Sequence, residues 1–387
     1  SNQSIQSNQS TTDCPLPTND CRLSTVDFNT FKLLFLHIKS LFKLNACIQK
    51  KGTMETISKW REFNQRLKYV QSVVLTTHLN PDGDAIGSEL AMAYHLRQLG
   101  KSVTIFNPSS MPESLRFLDE NHEITTFVKT IHTGEVNRAN LVIFLDVGDF
   151  DRAGYVGQAA REAGKAVISI DHHPQISHEK YLLAIEDTHA SSTGYMIYDY
   201  LKAFYPTHLN PPMAIALYVA VMTDTGNFKF SNTRAEDHHM AGDLIAYGID
   251  PYKIYCRIYE QFSPARMRLL GHVLQDLRFE SDGRLVWFVI YQKMMEKYGV
   301  TYDDLDGFSD FMRSIAGVEV SVMFKEMEDG TCRVNLRSKG RVVIHKVAQH
   351  FGGGGHPFAA GANLKKRVEE AIPAILSDVK RAIEGTP

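Results

Sequence analysis

The chain has little cysteine and no bias toward charge of either sign. Its five cysteines, Cys14, Cys21, Cys47, Cys256 and Cys332, stand at irregular spacing, and no two form a Cys-x-x-Cys pair. That argues against a disulfide scaffold and a thiolate zinc site, and a reducing, cytoplasmic compartment is expected. Lysine and arginine total 42 against 44 for aspartate and glutamate, a formal charge of −2. Proteins that hold long duplex nucleic acid neutralise many phosphates with basic residues, so a long duplex is not an expected partner. Long apolar runs are missing too. The apolar stretch 31–48 carries Lys32, His37, Lys39 and Lys43, and it falls short of the roughly twenty uninterrupted apolar residues that cross a bilayer. Polar residues 1–30 precede it, the wrong order for a signal peptide. No membrane association is expected.

What is there is an ordinary globular composition, 43% hydrophobic and 22% charged in 387 residues, enough for two domains. Residues 1–20 are rich in Ser, Asn, Gln, Thr and Pro and cannot bury enough apolar surface to fold alone. The chain begins at Ser1, whereas Met54 opens a well-patterned helix, METISKWREFNQRL. Residues 1–53 are therefore expected to be disordered or a non-native extension. From Ser72 onward apolar runs alternate with helix-period segments, the pattern of a mostly parallel sheet flanked by helices. Strands are predicted at Val73–Thr77, Val103–Phe106, Leu141–Leu145 and Val167–Ile170, with helices over Ala85–Leu99, Met213–Met222, Arg234–Tyr247, Tyr252–Glu260 and Ala265–Asp276. Beyond these come strands at Leu285–Ile290, Val318–Phe324 and Cys332–Arg337, the last two joined by a Glu328-Asp329-Gly330 turn. The expected organisation is an α/β domain over 54–262, a helical linker over 263–276 and a smaller α+β domain over 277–387.

Parallel sheets present ligands at the carboxyl ends of their strands. Three predicted strands deliver acids and imidazoles there: His78, Asp82 and Asp84 in VVLTTHLNPDGDAIGS, Asp146 in LVIFLDVGD, and Asp171, His172 and His173 in VISIDHHP. Asp224 in MTDTGNF adds a fourth. Each alone has an ordinary explanation as a turn residue, a helix cap or a core histidine. Turn chemistry gives no reason for acids and imidazoles to gather at one edge of three strands. The donor set is oxygen-rich with imidazole and no thiolate, which suits Mn²⁺, Mg²⁺ or Fe²⁺. Four aspartates and two histidines exceed the needs of one ion. A metal pair about 3.5–4 Å apart can present a water and clamp a phosphoryl oxygen, so phosphoester hydrolysis is the expected reaction class.

The ordered segments HLNPDGDAIGS, LDVGD, IDHHP and TDTGNF, followed by GGGGHPFAAG, resemble the DHH phosphoesterase superfamily with its C-terminal DHH-associated domain. The likeness spans most of Val73 to Leu364. Within the superfamily, the chain's length and its glycine loop are similar to those of the NrnA-type bifunctional oligoribonucleases and 3′-phosphoadenosine 5′-phosphate phosphatases. The resemblance implies that His78, Asp82 and Asp146 bind one ion, most simply Mn²⁺, and that Asp84, Asp146, His172 and Asp224 bind a second, with Asp146 shared. It implies that His173 faces the scissile phosphate, and Asp171 is expected to fix an imidazole from behind. Arg337 and Ser338 would contact the nucleotide, with Arg313 a weaker candidate. Short RNA and 3′-phosphoadenosine 5′-phosphate are the implied substrates, and a homodimer is compatible.

The glycines Gly352, Gly353, Gly354 and Gly355 could be a flexible linker. They lie between the helical 343–351 and the strand-like HPFAAGANL, however, inside a folded domain where backbone N–H groups can approach phosphate. His356 is then placed to touch substrate. His238 and His239, in AEDHHM, read as a solvated helix face, and Ser191, Ser192 and Thr193 as a helix N-cap. The tyrosines of 252–259 read as packing. Competing functions are a linear or cyclic dinucleotide phosphodiesterase, a pyrophosphatase or polyphosphatase, and an inert nucleotide-binding regulator. The glycine loop argues against the pyrophosphatase, and the intact ligand positions argue against the regulator.

Overall fold

The structure is a computed structural model that describes residues 54–174 and 181–385, so the expected extension 1–53 lies outside the described residues. The chain divides into two compact units, the first ending at Ile249 and the second starting at Asp250. In the first, a helix over 54–67, α1, leads into the sheet. There follow β1 (Ser72–Thr76), α2 (Gly83–Gln98), β2 (Ser102–Asn107), β3 (Ile124–Thr126), α3 (Lys129–Arg138), β4 (Leu141–Leu145) and α4 (Gly154–Glu162). The unit continues with β5 (Val167–Asp171), β6 (Leu183–Glu186), α5 (Thr193–Phe204), α6 (Pro211–Asp224) and α7 (Ala235–Ile245). The six strands are all parallel, in the order β3-β2-β1-β4-β5-β6.

The central strands are unbroken apolar runs because both sheet faces are covered. On one face Val74, Val142 and Phe144 meet Val136 of α3 and Val156 and Ala160 of α4. On the other, α2 packs on β1 and β4, α5 packs on β5, and α6 packs on both helices. The strand order reverses between β1 and β4, so the loops leaving them diverge and open a crevice at their carboxyl ends. Two strands of this unit, β3 and β6, are absent from the sequence reading, being only three and four residues long.

The second unit runs α8 (Pro251–Tyr259), α9 (Pro264–Gln275), β7 (Arg278–Glu280), β8 (Leu285–Ile290), α10 (Gln292–Tyr298) and α11 (Phe308–Met312). It closes with β9 (Val320–Glu326), β10 (Cys332–Ser338), α12 (His345–His350), β11 (Gly354–His356), β12 (Ala359–Leu364) and α13 (Val368–Glu384). Its sheet, β11-β12-β10-β9-β8-β7, is antiparallel except between β8 and β9, an α+β arrangement. The helix read as a linker, α9, is instead part of this unit. Leu269, Leu270 and Val273 pack in one core with Val286 and Phe288, and Arg266 donates to the carbonyls of Asp304 and Asp306. The unit boundary accordingly falls at 249/250. An apolar stripe is legible in sequence, but the unit that covers it is not.

Close helix approach sets the geometry of the first unit's crevice. A Cβ added at Gly87 in α2 would lie 2.3 Å from the Ala216 carbonyl oxygen of α6. Helix propensity alone predicts that Gly87→Ala gains about 1 kcal/mol. The close approach predicts the opposite sign, a loss of about 1–3 kcal/mol from overpacking, which denaturant unfolding of the purified variant would measure.

Candidate metal centre

The loop after β1 delivers the first group. His78 Nδ1 donates to the Leu79 carbonyl at 2.8 Å, which leaves Nε2 as the nitrogen turned toward the acids. That atom lies 3.7 Å from Asp146 Oδ2 and 4.0 Å from Asp82 Oδ2. Asp82 is also the N-cap of α2, its Oδ1 accepting from the Asp84 and Ala85 amides at 3.1 Å. The cap reading and the ligand reading are both true of it, one for each oxygen. Asp84, one residue inside the helix, is buried and accepts from the Thr193 and Gly194 amides at 2.7 and 2.8 Å. Those amides open α5, whose N-terminus favours an anion.

Asp146 follows β4 with a left-handed backbone, φ 59°, a conformation that costs energy for a non-glycine residue and turns the carboxylate into the crevice. It is 2% exposed and accepts from the Thr193 hydroxyl at 3.1 Å. His172, just after β5, places Nε2 at 3.5 Å from Asp146 Oδ1, 3.7 Å from Asp224 Oδ2 and 3.8 Å from Asp84 Oδ2. Its Nδ1 faces the Ala190 carbonyl at 3.3 Å. His173 Nδ1 lies 2.9 Å from Asp171 Oδ1 and 3.3 Å from Asp146 Oδ1. Asp171, fully buried, also accepts from the amides of His173 and Gly148. The imidazole that Asp171 fixes is thus the one expected to face phosphate.

These charges strain one another. Burial and the neighbouring Asp146 and Asp224 push the Asp84 carboxyl well above its usual range. Asp224 is pushed up to about 7 by burial and by Asp146 and Asp82. Burial works against ionised Asp146 as well, but hydrogen bonds from His173 and His78 and the nearby imidazoles hold it below the ordinary carboxylate range. Burial, reinforced by adjacent His173, lowers His172. The cost of burying His173 is overcome by Asp146 and Asp171, which push it up to about 11.

One atom tests whether these residues fit a metal. His172 Nε2 is buried without a hydrogen-bond partner, and a proton on Nδ1 for the Ala190 carbonyl leaves Nε2 a lone pair among three carboxylates. Such an arrangement is repulsive unless a cation stands between. Three ligand groups have atoms within 4.8 Å of one another: His78, Asp82 and Asp146; Asp84, His172 and Asp224; and Asp146, His172 and His173. The first has the residues of one set implied by the resemblance and the second those of the other set without Asp146, whose oxygens lie 3.7 Å from His78 Nε2 and 3.5 Å from His172 Nε2.

Sequence reasoning missed the supports. The sequence places Thr193 in a cap segment, and Ser192 does cap α5, accepting from Tyr195 at 3.0 Å, yet the Thr193 hydroxyl itself reaches Asp146. Asn232 donates to Asp224 Oδ2 at 3.3 Å. Asp237 precedes the histidines read as a solvated face. His238 and His239 are exposed, whereas Asp237 is fully buried.

In the second unit, a groove of about 470 Å³ is lined by Arg333, Asn335, Arg337, the four glycines 352–355 and β12. Strand alternation puts Arg333, Asn335 and Arg337 on one face of β10 and Ser338 on the other. Ser338 is 1% exposed and its hydroxyl accepts from the Gly340 amide at 3.3 Å. It shapes a turn, and the polar side chains that line the groove beside Arg337 are Arg333 and Asn335, which the alternation in CRVNLRS could have shown. Arg313 donates to the Ser338 carbonyl at 2.8 Å and pairs with Asp310, a brace on this loop. His356 lies in β11. No described helix is long and apolar enough to cross a membrane.

Known proteins match both units. The DHH family N-terminal domain matches residues 72–221 and the DHHA1 domain residues 287–385. A bifunctional oligoribonuclease and PAP phosphatase NrnA from Thermus thermophilus is 32% identical over 334 residues, 84% of this chain and 95% of the relative. The protein of the same name from Bacillus subtilis is 31% identical, covering 78% of this chain and 92% of the relative. Among solved structures, an exopolyphosphatase-related protein from Bacteroides fragilis superposes with a TM-score of 0.80 at 25% identity, over 84% of this chain and 96% of the other. With both domains matched in order and the relatives covered nearly end to end, the chain belongs to the DHH phosphoesterases that carry a DHHA1 domain, in the NrnA family.

Proposed function

We propose that the protein is a two-metal phosphoesterase that degrades short RNA oligonucleotides to nucleoside 5′-monophosphates and removes the 3′-phosphate of 3′-phosphoadenosine 5′-phosphate. The observation that carries the chemistry is the unpartnered His172 Nε2 facing Asp84, Asp146 and Asp224. The substrate class rests on the relatives, named bifunctional oligoribonuclease and PAP phosphatase. His78, Asp82 and Asp146 would hold one divalent ion and Asp84, Asp146, His172 and Asp224 the other, with Mn²⁺ suited to oxygen and imidazole donors. When bound, such a pair neutralises phosphoryl charge and activates water.

The remaining work falls to side chains. Asp171 and Asp146 occupy His173 Nδ1 and hold the ring charged, so its other nitrogen can donate to a non-bridging oxygen as charge accumulates there. Thr193 orients Asp146 through its hydroxyl. In the second unit, Arg333 and Arg337 supply cations to a nucleotide's phosphates beside the glycine backbone.

Substrate ranking tests the reading. With Mn²⁺, purified protein should turn over short RNA and 3′-phosphoadenosine 5′-phosphate well ahead of pyrophosphate and a cyclic dinucleotide. Asp146→Ala should lower hydrolysis about a thousand-fold or more, since it serves both ligand groups. Asp171→Asn should cost about ten- to a hundred-fold. Near-normal turnover by the Asp146 variant refutes the shared-ligand assignment.

The glycine groove has its own contrast. A side chain at Gly354 meets nothing within 4 Å, whereas one at Gly353 would lie 2.1 Å from the Gly361 oxygen. Gly354→Val therefore projects into the groove with little cost to packing. It and His356→Ala should weaken turnover of RNA and 3′-phosphoadenosine 5′-phosphate while Mn²⁺ binding and hydrolysis of a minimal activated phosphodiester stay intact. Equal loss on the minimal substrate would make the groove a structural support.

A further inference from the structure

We infer that Asp237, acting through Ser191, is a positioning residue for the metal centre, and that Asn232 ties the same loop to Asp224; the inference rests on the two-metal reading above. Asp237 lies beyond the matched DHH domain, which ends at residue 221, in the first turn of α7. A carboxylate there could be a mere helix-start acid, stabilised by the exposed amides. Its surroundings say more. The side chain is fully buried, an expensive place for a charge unless it is closely paired. One oxygen, Oδ2, accepts from the Arg234 amide at 2.7 Å, which closes the helix start. The other accepts the Ser191 hydroxyl at 2.6 Å and the Arg234 guanidinium at 3.2 Å.

Ser191 belongs to a short segment in which Ala190, Thr193 and Gly194 all touch the site. The Ala190 carbonyl faces His172 Nδ1 at 3.3 Å and so selects which nitrogen carries the lone pair toward the carboxylates. The Thr193 hydroxyl donates to Asp146 at 3.1 Å, and the Thr193 and Gly194 amides hold Asp84 at 2.7 and 2.8 Å. Asn232 Nδ2 spans the Ser191 carbonyl at 3.1 Å and the Asp224 carbonyl and carboxylate at 3.1 and 3.3 Å. Four ligands, one each on or just after α2, β4, β5 and α6, are thus registered against one segment, and Asp237 fixes that segment by the only side-chain bond that Ser191 makes among the described hydrogen bonds. A helix-capping role alone needs Oδ2 and the Arg234 amide; it gives no reason for the second oxygen to take a buried serine hydroxyl.

The test is Mn²⁺ binding, followed by electron paramagnetic resonance of the free ion, on the full chain with Asp237→Asn, Ser191→Ala and the double variant, beside thermal unfolding and kinetics. Each single change should weaken Mn²⁺ affinity about ten- to a hundred-fold, lower kcat at limiting Mn²⁺ with KM for short RNA little changed, and recover activity at excess Mn²⁺. The double variant should lose little more than either single one, because both remove the same bond. Wild-type Mn²⁺ affinity in folded single variants, or losses that simply add, overturns the inference. If Asp237→Asn fails to fold, Ser191→Ala decides it, since that change deletes one oxygen and leaves the Arg234 pairing intact. Failure of the wild-type protein to bind Mn²⁺ at all overturns the two-metal reading itself, a result distinct from normal binding in the variants.

Discussion

The first unit is organised around a concentration of like charge. His172 Nε2 has oxygens of three aspartates within 3.8 Å, and two unit charges 4 Å apart at an effective dielectric of 20 repel by about 4 kcal/mol. Nothing local makes such a cluster favourable, so the fold has to hold it together. The sheet fixes Asp146 and His172 at the ends of adjacent strands. The α5 amides offset Asp84, the imidazoles of His78 and His173 offset Asp146, and Asn232 steadies Asp224. Divalent cations bound there would reverse the sign of the whole interaction and let these residues be both buried and acidic.

That dependence explains what was legible in sequence. β4 and β8 were read to the residue and β1, β2 and β5 to within one, because strands buried on both faces are unbroken apolar runs. Polar residues at the ends of such runs stand out, so the acids and imidazoles that cluster among the described residues are legible as candidates. The supports were harder to see. Thr193 contacts Asp146 from 47 residues along the chain, Asp237 reaches the site only through Ser191, 46 residues away, and no period or spacing marks either of them or Asn232. β3 and β6 are too short to show a pattern, and the membership of α9 depends on which core covers its stripe.

Two strings of the same three residues show how context decides. Asp171, His172 and His173 leave a parallel strand at its carboxyl end, where the backbone turns and three consecutive side chains can reach one crevice. Asp237, His238 and His239 sit in the first turn of α7, where successive side chains are about 100° apart. Only the acid faces inward there. The histidines are exposed, His238 with its ring stacked on Phe228 at 5.1 Å. Identical chemistry in sequence therefore becomes a ligand group in one place and a buried brace in the other.

The second unit is built on a different constraint, the approach of backbone to backbone. Gly353 and Gly355 press on β12 so closely that added Cβ atoms would lie 2.1 and 2.5 Å from the Gly361 and Ala359 oxygens, whereas Gly354 faces open space. The glycine run is thus half packing and half surface, and only the second half can serve a ligand. Among the described residues, all three clusters able to hold a metal lie in the first unit, while the groove beside the glycines offers arginines, an asparagine and backbone. Donors of that kind bind anions and cannot activate water. Among the described residues the acid clusters that could hold a metal lie in the other unit, so the proposed function gives bond cleavage and phosphate recognition separate structural origins in this chain.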